Sequence, residues 1–399
     1  MTIGLKNISR AESAAHVPEV LDVHVVLLTA FVAPHKLPIY EALARRVRKL
    51  TVLVSTAMES NRLWQPEFGN VDVQVQKTLT FSRPRRHPHG FEYPLYVHIP
   101  WDTLSHLRRL RPDVIISHEF GFRSVFSSVY KMLSRQTPLI FWAGLSEHTE
   151  KGKGWHRYLL RKVLLKFANN VVVNGDSGGR YLQKMGLPPK RIFRFPYATI
   201  PSKFDDYTPQ RDPDVSQRLL YVGMINECKG ILPFLQGLAL WGEQHPERDI
   251  VFDLVGDGPL RKEVAAFPVP HNVHLKLWGH LDYSELADRY ENAGIFVFPT
   301  MKDDWGMVTN EAMNAALPVL GSVYSQAVDQ MIVHGKNGWR FRTDHPDEVT
   351  SAIDDALSTP HAALLEMGQA AKQRIAHRTP DYAAQHLVTA ILAAREDRS

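Results

Sequence analysis

Residues 296–313 combine acidic, small and apolar side chains in an unusual order. An apolar run passes into an acidic loop, Gly306 turns the chain, and seven residues separate Asp303 from Glu311. Carboxylates accept hydrogen bonds from hydroxyl groups, so Asp303 can hold sugar hydroxyls and Glu311 the vicinal hydroxyls of a ribose. A helix beginning here also offers free amides to negative oxygens, from Trp305, Gly306, Met307 and Val308.

Two earlier glycine turns also follow apolar runs that are typical of buried strands. Gly223 ends the first run and Lys229 precedes a helical pattern, so a phosphate can approach the backbone beside a positive charge. A turn of this composition also serves purely as architecture, and the residues leave both interpretations open. Gly256 ends the second run, which lacks the third glycine and the following acid of a dinucleotide fingerprint. Nicotinamide binding is therefore disfavoured.

The first half of the chain carries polar side chains at two predicted strand ends. His35 and Lys36 follow the first strand and can reach an acceptor or a phosphate, although two polar residues in such a loop are often exposed on the surface without a function. His118, Glu119 and Arg123 follow a later strand. They either line a cleft or form a helix cap with an ion pair.

Alternating strands and helices must position these side chains. Runs rich in β-branched residues predict strands near residues 22–29, 50–55, 113–117, 138–142, 170–173 and 191–195, and then near 218–222, 250–255, 273–277, 294–298 and 318–320. Helical patterns between them indicate an α/β chain with two Rossmann-like parallel-sheet domains. Because such sheets bind ligands at the carboxyl ends of their strands, we expect the domains to face a central cleft.

Prolines and polar residues without periodicity mark the boundary between the two domains. We expect the final segment to form an amphipathic helix that packs back toward the N-terminal domain. The predicted divisions are a poorly ordered N-terminus at 1–20, a first domain at 21–200, a linker at 201–215, a second domain at 216–378 and the C-terminal helix at 379–399.

Composition restricts the class of protein. With 44% hydrophobic and 22% charged residues, the chain has the composition of a globular protein. Cys228 is the single cysteine, so no internal disulfide can form, and no Cys/His cluster has the spacing of a zinc site. No signal-peptide pattern is visible, and no stretch reaches the ~18 apolar residues of a membrane span. These features predict a cytoplasmic protein that is neither exported nor membrane-spanning.

Charge is divided unevenly along the chain. Residues 1–205 hold 30 Lys and Arg against 15 Asp and Glu, whereas residues 206–399 hold 17 against 27. The basic half suits either an anionic partner, such as a membrane surface or a phosphate-bearing acceptor, or a merely solvated surface. The basic clusters at 83–86 and 151–157 favour the anionic partner. Residues 151–167 place bases beside an apolar stripe that suits either a membrane interface or core packing. No nucleic-acid-binding motif accompanies the charge.

Several motifs in the second half together resemble those of glycosyltransferase family 4, a retaining family with the GT-B fold. The resemblance covers nearly all of residues 216–342. It is carried by Asp303 with Glu311, the turn at 305–308, Glu311-Ala312-Met313, Pro318-Val319-Leu320-Gly321-Ser322, Gly223 with Lys229-Gly230, Val255-Gly256-Asp257-Gly258-Pro259 and His334-Gly335-Lys336-Asn337-Gly338. It implies an N-terminal acceptor-binding domain and a C-terminal nucleotide-sugar-binding domain.

The resemblance also implies a role for each matching residue. Asp303 contacts the donor sugar, the Gly306 and Met307 amides lie near sugar or phosphate, Glu311 holds the ribose, and Lys229 neutralises the leaving group. Backbone near Gly279 contacts the base. No Asp-x-Asp pair is present at the cleft, so the expected reaction requires neither metal nor cofactor.

The chain departs from the family pattern at three places. Met224 stands where an Arg is usual, Asp303 replaces the commoner Glu, and no histidine directly follows the strand near 138–142. His148 comes slightly later, with Glu147 beside it. We therefore expect His118, His148, Lys229 and Asp303 to be catalytic, and Glu147 to join the acceptor side.

The expected activity is retaining hexosyl transfer from a UDP- or GDP-sugar to a glycan, lipid-linked or small-molecule acceptor. Cell-envelope polysaccharide or glycolipid synthesis suits the basic half, with peripheral contact at the inner face of the cytoplasmic membrane. A sugar-nucleotide epimerase of the same fold and a non-catalytic nucleotide-sugar-binding scaffold are the alternatives.

Overall fold

A computed structural model describes residues 20–59, 66–86, 90–199 and 201–396. Nearly all of the N-terminal segment that was expected to be poorly ordered lies outside the described residues. Within the described segments, no helix is long and apolar enough to cross a membrane.

The first half contains a seven-stranded sheet in which every pairing is parallel, with strand order β3-β2-β1-β6-β7-β8-β9. Strands β4 and β5 form a separate antiparallel hairpin. The strands are β1 Leu21–Thr29, β2 Val47–Val54, β3 Asp72–Val75, β4 Thr78–Arg86, β5 Glu92–Pro100, β6 Val114–His118, β7 Leu139–Ala143, β8 Asn170–Val173 and β9 Ile192–Arg194. The helices are α1 Leu37–Ala44, α2 Thr103–Leu110, α3 Phe122–Leu133, α4 Glu147–Glu150, α5 Trp155–Leu164 and α6 Asp176–Lys184.

The second half contains a six-stranded parallel sheet with strand order β12-β11-β10-β13-β14-β15. Its strands are β10 Arg218–Val222, β11 Ile250–Val255, β12 Val273–Gly279, β13 Ile295–Phe298, β14 Val319–Ser322 and β15 Gly338–Phe341. The helices are α7 Ile231–Gln244, α8 Arg261–Ala265, α9 Tyr283–Glu291, α10 Met307–Asn314, α11 Gln326–Met331, α12 Pro346–Leu357, α13 His361–Ile375 and α14 Pro380–Glu396.

Burial on both faces explains why the central strands read as continuous apolar runs. Residues 23–29 of β1 are all buried, and so is the whole of β13. Helices cover both faces of a parallel sheet, so side chains pointing either way from a central strand lie in the core. The two parallel-sheet α/β domains expected from the sequence are therefore confirmed.

The chain crosses between the halves twice. Residues 201–212 have no regular helix or strand, and Arg211 donates to the Ala315 carbonyl oxygen at 2.7 Å. Helix α14 then returns and packs against α1, where Arg46 Nη1 lies 2.6 Å from Asp381 Oδ1. Asn170 Nδ2 on β8 also donates to Ala390 O at 3.0 Å. The last helix of the chain is thus part of the core of the first half.

The sequence patterns did not predict four of the strands, namely β3, β4, β5 and β15. The side chains of β3 at the sheet edge and of β4 in the hairpin are largely exposed, so neither strand shows an apolar run. Strand β15 is only four residues long and begins at a glycine. Without a buried face or sufficient length, hydrophobic periodicity carries little signal.

Helix α5 settles one of the alternatives left open by the sequence. Trp155 at its start is 72% exposed and Leu159 is 51% exposed, whereas Leu164 is buried. Most of the apolar stripe therefore faces outward, and core packing does not explain it.

Candidate active site

The carboxyl ends of β10, β11 and β12 are joined through three glycines. Gly223 N donates to Val255 O at 3.0 Å, and Gly256 N donates to Gly279 O at 2.7 Å. Gly256 has φ +128°, and a Cβ there would overlap the Gly223 carbonyl. Because these three residues have no side chain, the ends of adjacent strands can approach closely. The backbone at this edge of the sheet is then not covered by a side chain of these residues. Met224 lies beside them and is 45% exposed.

Lys229 and Asp303 form an ion pair in the cleft. The pair joins Nζ to Oδ2 at 2.5 Å, and the two side chains are 22% and 19% exposed. Lys229 belongs to a 3-10 turn just before α7, and its Nζ lies 5.4 Å from the centre of the Phe298 ring. Asp303 Oδ1 accepts from Trp305 N at 3.2 Å. The Lys229 ammonium can therefore bind an anionic ligand, and the Asp303 carboxylate lies next to it as a hydrogen-bond acceptor.

Gly306 allows α10 to begin at the cleft. Its φ of +98° favours glycine, and a Cβ would meet the Phe298 ring at 2.6 Å and Ser325 Oγ at 2.8 Å. The first amides of a helix have no partner within the helix, which makes the α10 start at Met307 and Val308 suited to negative oxygens. Trp305 is buried instead, where its ring lies 5.1 Å from that of Tyr197.

Glu311 opens onto a pocket between α9, α10 and the interdomain segment. Its Oε2 accepts from the Tyr290 hydroxyl at 3.0 Å, and burial raises the pKa of its carboxyl above the usual range. The pocket measures about 360 Å³ including its open mouth. It is lined by Thr199, Ser202, Lys203, Phe204, Tyr283, Leu286, Ala287, Tyr290, Glu311 and Asn314. A carboxylate beside hydroxyl-bearing side chains suits a polar ligand such as a ribose.

Lys36, His118 and Glu119 meet at the carboxyl edge of the first sheet. Lys36 Nζ lies 3.1 Å from His118 Nε2 and 5.2 Å from the centre of the Trp142 ring. Glu119 Oε1 accepts from Gly144 N at 2.9 Å and lies 3.5 Å from His118 Nε2. Glu119 has φ +65°, a strained value for a residue with a side chain, and such strain concentrates at functional sites.

Burial changes the pKa of each member of this group. It lowers the pKa of Lys36 to about 8 and holds the pKa of His118 well below its usual value. Burial, with the Asp304 carboxylate across the cleft, raises the pKa of Glu119. A neutral imidazole can therefore accept a hydrogen bond from the Lys36 ammonium near neutral pH.

Arg123 and His35 flank this group. Arg123 is 7% exposed, its Nη1 donates to Ser55 Oγ at 3.0 Å, and burial lowers its pKa to about 10. The His35 ring lies 5.9 Å from the ring of Tyr197. The predicted acceptor-side residues His35, Lys36, Glu119 and Arg123 thus lie at one edge of the sheet with His118.

His148 and Glu147 are neighbours in sequence but have separate surroundings. His148 stacks on Tyr324 with ring centres 4.0 Å apart, and its Nε2 lies 3.1 Å from Met301 O, so it bridges the two halves. The Glu147 carboxylate instead forms ion pairs with Arg180 at 2.8 Å and Lys184 at 2.5 Å, which lower its pKa. Glu147 therefore engages α6 rather than the Lys36 group.

Sequence reasoning did not assign Asp304, Lys153 or Tyr197 to the cleft. Asp304 follows Asp303, and desolvation between the halves raises the pKa of its carboxyl, with Lys153 acting against the shift. Tyr197 packs against Trp305 and has no motif around it. The sequence showed that Asp304 follows another acid and that Lys153 belongs to a basic run. Neither pattern indicates that the two side chains face each other across the cleft.

The fold and the cleft define a GT-B glycosyltransferase, with motif residues of the second half facing buried polar groups of the first. Residues 216–359 match the family model "Glycosyl transferases group 1", and residues 11–198 match the "Glycosyl transferase 4-like domain". The chain belongs to this family of glycosyltransferases.

Similar proteins share limited identity with the chain. A glycosyltransferase of Methanocaldococcus jannaschii is 28% identical over 140 residues, which cover 35% of this chain and 38% of that protein. Glycogen synthase of Mycobacterium tuberculosis is 26% identical over 174 residues, covering 43% and 40%. The matches thus span about two fifths of the length of these relatives.

Similar solved structures cover nearly the whole chain. The lipopolysaccharide outer core galactosyltransferase WaaB has a TM-score of 0.66 at 13% identity and covers 93% of this chain and 99% of its own. Anabaena HepE in complex with UDP and glucose has a TM-score of 0.64 at 13% identity, covering 93% and 100%. At such identities the likeness shows the fold.

Proposed function

We propose that this glycosyltransferase moves a hexosyl group from a UDP- or GDP-sugar to a glycan, lipid-linked or small-molecule acceptor, with retention at the anomeric carbon. The observation that carries the proposal is the Lys229–Asp303 pair beside the start of α10. The Glu311 pocket supports it, because a carboxylate beside hydroxyl-bearing side chains suits the hydroxyls of a ribose. UDP bound by HepE is consistent with this class of donor.

The proposed reaction is a front-face substitution. The bond from the anomeric carbon to the diphosphate oxygen breaks as the acceptor oxygen attacks from the same face, and the departing oxygen takes the acceptor proton. Lys229 and the first amides of α10 stabilise the leaving charge, and Asp303 orients the sugar. These groups supply the positive charge without a metal ion in the proposed reaction.

The assignment of catalytic histidines is also proposed. His118 would contact the reacting sugar or acceptor from the first half, because its ring lies at the carboxyl end of β6. His148 would position the loop around Met301, since it contacts that carbonyl and stacks on Tyr324.

A panel of UDP, GDP, ADP and dTDP, alone and as sugar conjugates, tests the donor assignment through calorimetry and thermal shift. A ligand that binds the folded state raises the melting temperature. One preferred nucleotide whose binding weakens in Glu311→Ala supports the donor site. A complete lack of response to every nucleotide contradicts it.

Met224 favours one alternative, a non-catalytic nucleotide-sugar-binding scaffold, because an Arg is usual at that position. Donor hydrolysis by the purified chain separates the two functions, since a binding protein does not turn the donor over. An epimerase would release an altered nucleotide sugar without acceptor, which product analysis detects.

We further propose peripheral contact with an anionic membrane surface through α5. Its outward apolar side chains are Trp155, Tyr158, Leu159, Leu160 and Val163, with exposed Lys162 and Lys166 beside them. Helix α3, which packs against α5 and β5, adds exposed Met132 and Leu133. An apolar face bordered by bases suits insertion at the boundary between lipid headgroups and chains. Such contact at the inner face of the cytoplasmic membrane would bring the cleft near lipid-linked or cell-envelope acceptors.

A further inference from the structure

Two buried cations occupy the carboxyl edge of the first sheet and are not used by the proposed donor site. Lys36 and Arg123 are each 7% exposed. They come from separate parts of the chain, the turn after β1 and the first turn of α3. Lys36 Nζ lies 3.1 Å from His118 Nε2 at the end of β6, and the Arg123 charge acts on both Lys36 and His118. Such convergence of basic groups requires either internal compensation or a ligand.

The internal compensation is incomplete. Lys36 donates to a ring nitrogen of His118 rather than to a carboxylate, and Arg123 donates through Nη1 to the neutral hydroxyl of Ser55. Within the described segments, the buried Nε atom of Arg123 has no hydrogen-bond partner. Burial without full pairing lowers the pKa of both groups, to about 8 for Lys36 and about 10 for Arg123.

The carboxylates around these cations are few or engaged elsewhere. Glu119 faces both cations but accepts from the Gly144 amide, and Asp304 approaches from the other half of the cleft. Glu59, which also acts on Arg123, lies 3.1 Å from the His98 ring nitrogen. Within the described segments, no hydrogen bond or ion pair joins Lys36 or Arg123 to any of these three carboxylates, so neither cation has a direct anionic partner.

We propose that Lys36, His118 and Arg123 form a subsite for a phosphate group of the acceptor. The inference rests on the proposed function, because it assigns the ligand of the acceptor half. A phosphate offers several negative oxygens, so it can accept from the Lys36 ammonium and from the free Nε–H of Arg123 together. His118 holds the Lys36 ammonium in place through its neutral ring nitrogen. The subsite would orient a phosphorylated acceptor with its hydroxyl toward the donor sugar.

Isothermal titration of the full chain with inorganic sulfate tests the subsite, since sulfate imitates the shape and charge of a phosphate. Variants Lys36→Met and Arg123→Gln should each weaken sulfate binding at least tenfold, because each loses a charge-assisted hydrogen bond. Lys190→Met, at an exposed lysine of the same half, should bind sulfate like the wild type. Melting curves establish that the variants are folded, and His118→Gln provides a milder change if either is not.

The affinity for the preferred nucleoside diphosphate separates this subsite from the donor site. We expect that affinity to stay within about twofold in Lys36→Met, and sulfate to bind with saturating nucleotide present. Nucleotide affinity that falls as much as sulfate affinity would assign the cations to the donor diphosphate and overturn the proposal. Intact nucleotide binding with no sulfate binding, or with sulfate binding unchanged in both variants, would overturn it while leaving the proposed function standing.

The pH dependence provides a second readout. Sulfate keeps its charge between about pH 6 and pH 9, while Lys36, whose pKa is about 8, loses its proton in the empty site. The charged groups that face Lys36 are Glu119, Arg123 and Asp304, and His118 stays neutral because its pKa is well below the usual value. Wild-type affinity should therefore fall as pH rises through about 8, and the affinity of Lys36→Met should not. A parallel decline in both proteins contradicts the role of Lys36.

Discussion

Replacing Lys229 by methionine removes the positive charge next to Asp303 and keeps most of the side-chain stem. In the wild type the Lys229 ammonium lies 2.5 Å from Asp303 Oδ2 and over the Phe298 ring at 5.4 Å. Methionine retains an unbranched apolar chain of similar reach, which can still pack on that ring. The substitution therefore changes electrostatics more than packing.

The expected loss of activity follows from the role of the charge. Removing one preorganised group that stabilises a developing negative charge costs about 100- to 1000-fold in kcat, or about 2.7–4 kcal/mol. The unfolding free energy should fall by only about 1–2 kcal/mol, because the Lys229 and Asp303 side chains are about one fifth exposed and their pair lies between surface and buried cases. The variant should thus remain folded while turnover drops by at least 100-fold.

Release of nucleoside diphosphate from the preferred donor sugar measures this turnover, with and without acceptor. Lys276→Met is a matched control, because Lys276 is exposed on β12 in the same half. Circular dichroism and melting curves verify the fold of both variants. A Lys229→Met rate within threefold of the wild type, in a folded protein, refutes the assignment of Lys229 to the leaving group.

Four further predictions test other parts of the structure. Glu311→Gln should weaken nucleoside diphosphate binding about tenfold in calorimetry. Because burial raises the pKa of Glu311, the affinity of the wild type should also fall on acidification, whereas the affinity of the variant should not. Gly306→Ala should lower the unfolding free energy by about 2 kcal/mol in denaturant titration, whereas Gly335→Ala, with positive φ but open space, should cost less. Trp155→Glu should abolish flotation with anionic vesicles at low salt, and Leu240→Glu, exposed on the other half, should not; equal flotation of both variants rules out the α5 face. Chelation by EDTA should leave turnover unchanged, and loss restored by a divalent ion contradicts a metal-free reaction.

The alternation of strands and helices was readable from the sequence because it is a local property. An apolar run such as β13 is buried on both faces, so composition alone indicates a central parallel strand. The acids at 303 and 311 and the glycine at 306 could likewise be recognised, since their types and spacing are fixed along the chain. Strand β4 and the edge strand β3 were missed because their exposed side chains follow no apolar pattern.

Only the tertiary structure decided which polar groups meet and which face is left uncovered. Lys36 and His118 are 82 residues apart and touch because β1 and β6 are adjacent in the sheet. Glu147 is next to His148 in sequence, yet its carboxylate pairs with Arg180 and Lys184 of α6, whereas His148 contacts the second half. The stripe on α5 suited either a core or a surface, and its exposure depended on which elements packed over it. Periodicity and turn chemistry act between near neighbours in sequence, whereas these contacts depend on strand order and on how the two halves pack together.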